Sequence, residues 1–176
     1  MNNRIVNVKN PVLRQKAKPV SKIDKKVLAL IKEMQATLIE QRDPEGVGLA
    51  APQIGKSLQI FVVNYKDLKR VIINPEVLEI SKTKKINTEN KKKDILEGCL
   101  SLPHYYGPIK RASKIKIKYL DEKGSEQIEE FSGFNAQIIQ HEMDHLNGIL
   151  FIDKILEQKS PLYKFDGDEW EEVELI

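Results

Sequence analysis

Two histidines four residues apart, in a segment with the signals of a helix, are the feature that most constrains this chain. His141 and His145 are two of its three histidines and bracket the pentapeptide His-Glu-Met-Asp-His. Ser132 can cap the helix, and Asn147-Gly148 is typical of a helix end near Leu146. At about 100° per residue both imidazoles project from one face, one turn apart, so they can bind one metal ion.

Two carboxylates accompany the histidines. Glu142 lies about 60 to 100° around the same helix, where it can reach a water molecule beside the metal without being a ligand. Asp144 flanks the pair on the other side, where it either orients a ligand or pairs with a base. The alternative is an ordinary helix with two solvated histidines.

A catalytic site of this kind takes three protein ligands, so a third ligand is needed. The protease pattern that adds a third histidine is excluded, because Phe151 occupies that position. Cys99, the only cysteine, follows Gly98 and is either a ligand or a small buried residue. His104 is expected at the surface beside two tyrosines. A downstream glutamate would suit another protease class, although these glutamates lack helical ligand spacing: Glu157, Glu169, Glu171 and Glu172.

Composition and length predict one globular domain over residues 1–176. The chain has 40% hydrophobic and 31% charged residues and a net charge of +3. Its apolar runs are far shorter than the roughly 20 residues that cross a bilayer, and no signal peptide is evident, so we expect a cytoplasmic protein without membrane contact. A single cysteine allows no intrachain disulfide. Charge alone does not indicate a specific DNA site.

Periodicity predicts an α+β fold with short, mostly antiparallel strands around one buried metal-binding helix, plus an N-terminal amphipathic helix. The latter begins at Ser21, carries apolar residues from Val27 to Leu38 on one face, and ends before Asp43-Pro44. Strands are predicted at residues 58–65, 71–74, 76–80, 114–119 and 125–131, and a hairpin at 162–165 and 170–175.

Three blocks together resemble the motifs of one family. Residues 46–53 read Gly-Val-Gly-Leu-Ala-Ala-Pro-Gln, residues 97–101 read Glu-Gly-Cys-Leu-Ser, and residues 140–145 read Gln-His-Glu-Met-Asp-His. In this order they resemble the three motifs of the peptide deformylases. The resemblance covers nearly the whole chain, from Asn10-Pro11-Val12-Leu13-Arg14 onward.

The resemblance implies a site and a reaction. Cys99, His141 and His145 would hold one divalent metal, with iron(II) as the working ion and zinc, nickel or cobalt as possible substitutes. Glu142 would transfer protons, while the Gln53 side chain and the Leu100 backbone N–H would donate to the charge on the formyl oxygen. The substrates would be new polypeptides that begin with N-formyl-methionine, and the products formate and a free amino terminus.

Substrate contacts and one supporting ion pair are also expected. Val47, Gly48 and Ile138 are candidates for the substrate site, and Leu49 is expected to join Val47 and Ile138 as a wall of an apolar pocket. For the apolar side chains, plain core positions are the alternative. Glu97 and Arg111 are candidates for an ion pair that holds the Cys99 loop.

Two departures from the family pattern concern partners. The stretch Lys82 to Lys93 is longer than in many members and contains six lysines, and an acidic C-terminal hairpin replaces the basic terminal helix of some members. The lysines are interpreted as a solvated loop, with transient ribosome association through ribosomal RNA as the alternative. The rival functions are a metallopeptidase of the HExxH type and a non-catalytic structural metal-binding module.

Overall fold

Two antiparallel sheets and three helices form the part of the chain that the computed structural model describes, residues 5–82 and 96–174. The five-stranded sheet has the order β1-β2-β3-β6-β7, and the four-stranded sheet the order β4-β5-β8-β9. The strands are β1 (Gly48–Ala50), β2 (Ile60–Tyr65), β3 (Leu68–Ile80), β4 (Leu96–Cys99), β5 (Leu102–Pro108), β6 (Lys114–Leu120), β7 (Glu126–Ser132), β8 (Leu162–Phe165) and β9 (Trp170–Val173). The helices are α1 (Lys25–Glu40), α2 (Gly133–Leu146) and α3 (Phe151–Gln158).

Helix α1 covers one part of the five-stranded sheet. It begins at Lys25 rather than Ser21, because the Asp24 carboxylate caps it by accepting from the backbone N–H groups of Lys26 and Val27. Ile31, Met34 and Leu38 pack into the core on the face that the spacing predicts.

Helix α2 packs on the same sheet and carries the histidine segment. Its apolar residues Ala136, Ile139 and Leu146 join the core with Ile115 and Ile117 of β6. Ser132 precedes the helix as predicted, although its side chain makes no capping hydrogen bond. Gly148 follows the helix with φ of 72°, a left-handed conformation that glycine adopts without strain. The helix is therefore buried on its sheet-facing side.

Strand β3 is one strand of 13 residues where two were predicted. Asn74 adopts a positive φ of 50° and its side chain bonds both backbone groups of Val20, so the strand is irregular at Pro75 but continues. Its first half pairs with β2 and its second half with β6. Pro75 lies where the neighbouring strand changes from β2 to β6, so its missing N–H group interrupts neither ladder of hydrogen bonds. The strand therefore continues through it.

The four-stranded sheet was only partly predicted. The β8–β9 hairpin is confirmed, but β4, β5 and helix α3 were not predicted. Helix α3 begins after Leu150 instead of a polar cap, and the Asp153 carboxylate accepts from the Leu150 N–H in its place. Phe151 and Ile155 of α3 form a core with Cys99 and Leu162.

The predicted lysine-rich loop and the predicted absence of membrane spans are the remaining points about the fold. Of the stretch Lys82 to Lys93, only Lys82 is described. Within residues 5–82 and 96–174, no helix has the length and apolar character needed to span a membrane.

Candidate metal centre

Cys99 at the end of β4 and the two histidines of α2 meet at one buried point. The Nε2 atoms of His141 and His145 lie 3.2 Å apart, and Cys99 Sγ lies 3.3 Å from Nε2 of His145. The three ligand atoms all lie within 4.8 Å of one another. The fold therefore brings together three residues that the sequence separates by up to 46 positions.

The donor set suits a divalent transition metal. Bond lengths of about 2.0–2.1 Å to nitrogen and 2.3 Å to sulfur give edges of about 3.3–3.6 Å between ligand atoms in a tetrahedral site. The measured separations of 3.2 and 3.3 Å are close to these edges. His104 and the downstream glutamates Glu157, Glu169, Glu171 and Glu172 are not part of this group.

Glu97 orients the first histidine. Its Oε1 atom lies 2.6 Å from Nδ1 of His141 and 2.6 Å from Nη2 of Arg111, so the predicted Glu97–Arg111 ion pair is present. Burial opposes ionisation of Glu97, but His141 and Arg111 outweigh it and lower the pKa of this carboxyl to about 2. The carboxylate therefore favours Nδ1–H on His141 and directs Nε2 toward the other ligands.

Arg111 also contacts the helix directly. Its Nη1 atom donates to Oδ2 of Asp144 at 2.6 Å, and burial of the guanidinium is outweighed by Glu97 and Asp144, which raise the pKa of Arg111. Gln137 donates to Oε2 of Glu97 at 3.2 Å. Asp144 thus pairs with a base, one of the two possibilities that the sequence left open, and Gln137 was missed although it lies one turn before His141.

Glu142 is buried next to the three candidate ligand residues and against β1. A Cβ atom on Gly48 would lie 2.3 Å from Oε1 of Glu142, so only glycine leaves room for this carboxylate. Oε2 of Glu142 has no hydrogen-bond partner among the described residues. Burial raises the pKa of Glu142 to about 7, which is suited to accepting and releasing a proton near neutral pH.

Gln53 approaches the same point from a short 3₁₀ helix at Ala51–Ile54. Its Oε1 atom accepts from the Ala50 N–H at 2.9 Å, which fixes the amide. Its Nε2 atom lies 3.5 Å from Cys99 Sγ and donates to Oγ of Ser101 at 3.3 Å. The buried hydroxyl of Ser101 is a contact that the sequence reasoning did not identify.

A cleft leads to the centre between the two sheets. It is lined by the predicted residues Val47, Gly48, Leu100 and Ile138. Leu49 is instead fully buried in the core against α1, because alternate side chains of β1 point to opposite faces. His104 lines the cleft and is partly exposed. Other lining residues were missed by the sequence reasoning: Phe134, Tyr105 and Tyr106.

The model of the polypeptide deformylase family matches residues 2–161 of this chain. This chain belongs to that family. Relatives named peptide deformylase include one from Halothermothrix orenii, 48% identical over 156 residues that cover 87% of this chain and 93% of the relative. Another, from Thermotoga maritima, is 41% identical over 155 residues that cover 88% of each chain.

Solved peptide deformylases have the same fold. The crystal structure from Thermotoga maritima matches with a TM-score of 0.76 at 41% identity, covering 86% of this chain and 95% of that chain. The structure from Synechococcus elongatus in complex with actinonin matches with a TM-score of 0.75 at 36% identity, covering 85% and 76%.

Membership of the deformylase family decides the activity. The protein is a metal-dependent hydrolase that removes the formyl group from the N-terminal formyl-methionine of nascent polypeptides, releasing formate. A metallopeptidase or a structural metal-binding module is not favoured.

Proposed function

We propose that Cys99, His141 and His145 hold one divalent metal ion in this deformylase and that Glu142 is its general base and acid. The observation that supports the ligand set most directly is the convergence of one sulfur and two nitrogen atoms within 4.8 Å. A structural site normally takes four protein ligands, whereas here a buried carboxylate stands beside three. That arrangement leaves a position for water and substrate.

A divalent ion held by Cys99, His141 and His145 would lower the pKa of water from about 15.7 to about 7 and would thereby make a hydroxide nucleophile available at neutral pH. One thiolate and two imidazoles suit iron(II), zinc, nickel or cobalt, and we propose iron(II) as the working ion.

Glu142 handles the proton during formyl hydrolysis. Its carboxylate accepts a proton from the attacking water and delivers it to the amine nitrogen as the C–N bond breaks. The products are formate and a free amino terminus. The pKa of about 7 and the unpartnered Oε2 atom support this role.

Gln53 and Leu100 stabilise the charge that develops on the formyl oxygen. The Gln53 amide is held by Ala50, so its Nε2–H group is oriented before substrate arrives. The Leu100 backbone N–H is the second proposed donor. Loss of one such donor typically costs about 100- to 1,000-fold in rate.

The substrate's methionine side chain is proposed to bind beside Val47 and Ile138, with Gly48 next to the substrate backbone. Ile138 lies three residues before His141 on α2, so a side chain bound there places its own formyl group near the ligands. Phe134 extends this apolar wall by a further turn.

Metal analysis and formate release test the proposal together. Anaerobically purified protein should contain one metal ion, predominantly iron, and should release formate from a formyl-methionyl tripeptide without cleaving its unformylated counterpart. Glu142→Gln should retain the metal and lose formate release. Loss of the metal from that variant would make Glu142 a ligand and refute its proposed role.

We also propose that the enzyme is cytoplasmic and associates transiently with the ribosome. The proposed association rests on the lysines between Lys82 and Lys93, whose charge would attract ribosomal RNA. A merely solvated loop, which the composition favours, predicts no such contact. The triple variant with Lys91→Ser, Lys92→Ser and Lys93→Ser should bind ribosomes more weakly than wild type only if these lysines contact RNA. Its ribosome binding should then also depend less on salt concentration. Equal binding of wild type and variant at low salt would reject ribosome association through these lysines.

A further inference from the structure

An aromatic surface continues from the substrate cleft onto the C-terminal hairpin. Tyr106 lines the cleft, and its Cδ1 atom would lie 2.7 Å from a Cβ at Gly98, directly before Cys99. The Tyr106 ring meets the Trp170 ring edge-on, with 5.4 Å between the ring centroids. The Trp170 and Phe165 rings also lie together, with 4.8 Å between their centroids. The cleft wall and this surface are therefore continuous.

The register separates the two faces of the four-stranded sheet. Tyr105, opposite Lys164, and Val173 belong to the side that packs on the α3 core. Tyr106 lies opposite Tyr163, which lies opposite Glu172, so these residues share the other face. Trp170 is 52% exposed on that face, although most large aromatic side chains are covered.

Three carboxylates lie on this aromatic surface or near its cleft end. Glu172 is exposed on it, and Glu45 lines the cleft from the opposite wall. Burial and the charge of Asp43 raise the pKa of Tyr106, so another carboxylate acts on the same ring. An exposed indole near negative charge attracts Lys and Arg side chains through cation–π contact.

We propose that the face formed by Tyr106, Phe165, Trp170 and Glu172 extends the substrate groove and binds basic residues downstream of the formyl-methionine. The proposal rests on the proposed function, because the formyl group must lie at the metal centre. Extended chain rises about 3.3 Å per residue, so a substrate leaving the cleft at Gly98 reaches Trp170 within about two to four residues. The occupant is the nascent chain itself, and a preference for Lys or Arg at those positions follows.

Substrates of different length and charge distinguish binding along this groove from reaction at the metal centre. The substrates are a formyl-Met-Ala-Ser peptide and two longer ones that add three lysines or three glutamates. For wild type, kcat/KM should be highest for the lysine peptide. Trp170→Ala should lower the ratio of kcat/KM for the lysine peptide over the short peptide about threefold, the size of one exposed cation–π contact. Trp170→Phe should retain most of the ratio.

Matched variants exclude general effects of substitution. Leu156, 54% exposed on α3 and outside the cleft lining, is the control for loss of an exposed apolar side chain, and Leu156→Ala should leave the ratio unchanged. Glu172→Lys should shift preference toward the glutamate peptide, whereas Glu171→Lys, on the opposite face, should not.

The outcomes of the two proposals are distinguishable. Equal ratios in wild type and Trp170→Ala, or equal shifts from Glu171→Lys and Glu172→Lys, would overturn the groove extension. Failure of wild type to deformylate the short peptide would instead overturn the proposed function. A preference for the glutamate peptide in wild type would also reject the extension.

Discussion

The Oε1 atom of Glu97 lies 2.6 Å from Nδ1 of His141, in a position where the same carboxylate also pairs with Arg111. The side chains of Glu97 and Arg111 are only 6% and 8% exposed. One buried carboxylate thus connects β4, which carries Cys99, with α2 and with the segment before β6. We expect the geometry of the proposed metal centre to depend on this connection, because Glu97 and Cys99 belong to the same strand.

Glu97→Gln tests that dependence. The amide keeps an acceptor for His141 but loses the charge, so we expect metal affinity to fall about 10- to 100-fold. Arg111 keeps Asp144, and the free energy of unfolding of the metal-free protein should therefore fall by about 3 kcal/mol, at the low end for a broken buried pair. Competition with a chelator and urea denaturation measure the two effects.

Asp144→Asn is the matched control for Glu97→Gln. It removes the charge of the second carboxylate that pairs with Arg111. Unlike Glu97, Asp144 makes no hydrogen bond to His141 in the described part of the chain. Its effect on metal affinity should be clearly smaller than that of Glu97→Gln. Equal metal affinities for wild type and Glu97→Gln would contradict the orienting role.

Cys99→Ser tests the ligand that local sequence supports least. A serine hydroxyl is nearly isosteric with the thiol but stays protonated at neutral pH, so metal affinity and formate release should both fall sharply. Metal content after dialysis and deformylation of a formyl-methionyl peptide are the measurements. A variant with full metal content and full activity would show that Cys99 is not a ligand.

Gly48→Ala should disable Glu142 without disturbing the metal ligands. The new Cβ would lie 2.3 Å from Oε1 and 2.8 Å from Cδ of Glu142, so the carboxylate must move. A displacement of about 1 Å can cost about 100-fold in rate, and we expect a loss of that order in kcat with unchanged metal content.

A double-mutant cycle checks that Gly48→Ala acts through Glu142. In the Glu142→Gln background, where the carboxylate is already lost, the glycine substitution should lower the residual rate only slightly. Additive losses would mean that Gly48 contributes through the substrate instead.

Periodic elements of this fold could be predicted from sequence, whereas the edges of the cleft could not. Strand β6 alternates buried Ile115 and Ile117 with lysines, and this alternation predicts a half-buried strand. Strands β4 and β5 contain Gly98, Pro103 and Gly107, which are poor strand formers. The need for glycine at position 107 becomes clear only from the packing, because a Cβ there would lie 2.3 Å from the side chain of Ile155.

For the site, helical spacing predicts that His141 and His145 share a face, but no local pattern links them to Cys99. That link required the joint occurrence of three motifs. Gln137 and Tyr106 lie outside the three motifs, and only the folded structure shows that they reach Glu97 and the cleft wall. Ser101 ends the second motif, but its contact with Gln53 is likewise visible only in the folded structure. The register of β8 against β5 likewise has no local sequence signal.

Tyr119→Phe addresses stability at alkaline pH, away from the metal centre. Burial and then the hydrogen bond from its hydroxyl to Oε2 of Glu129, at 2.9 Å, raise the pKa of Tyr119 to about 12 from 10.0. A pKa that is higher in the folded state contributes stability below the unfolded pKa, and this contribution is lost as pH rises from about 10 to about 12. The variant lacks the hydrogen bond and should be about 1 kcal/mol less stable than wild type at pH 8. The difference between the two should shrink above pH 10 and change sign by pH 12, because each pKa unit corresponds to about 1.4 kcal/mol and only wild type titrates at this position. Urea denaturation at intervals of one pH unit measures this change. A constant difference across that range would show that Tyr119 does not titrate as its contacts require.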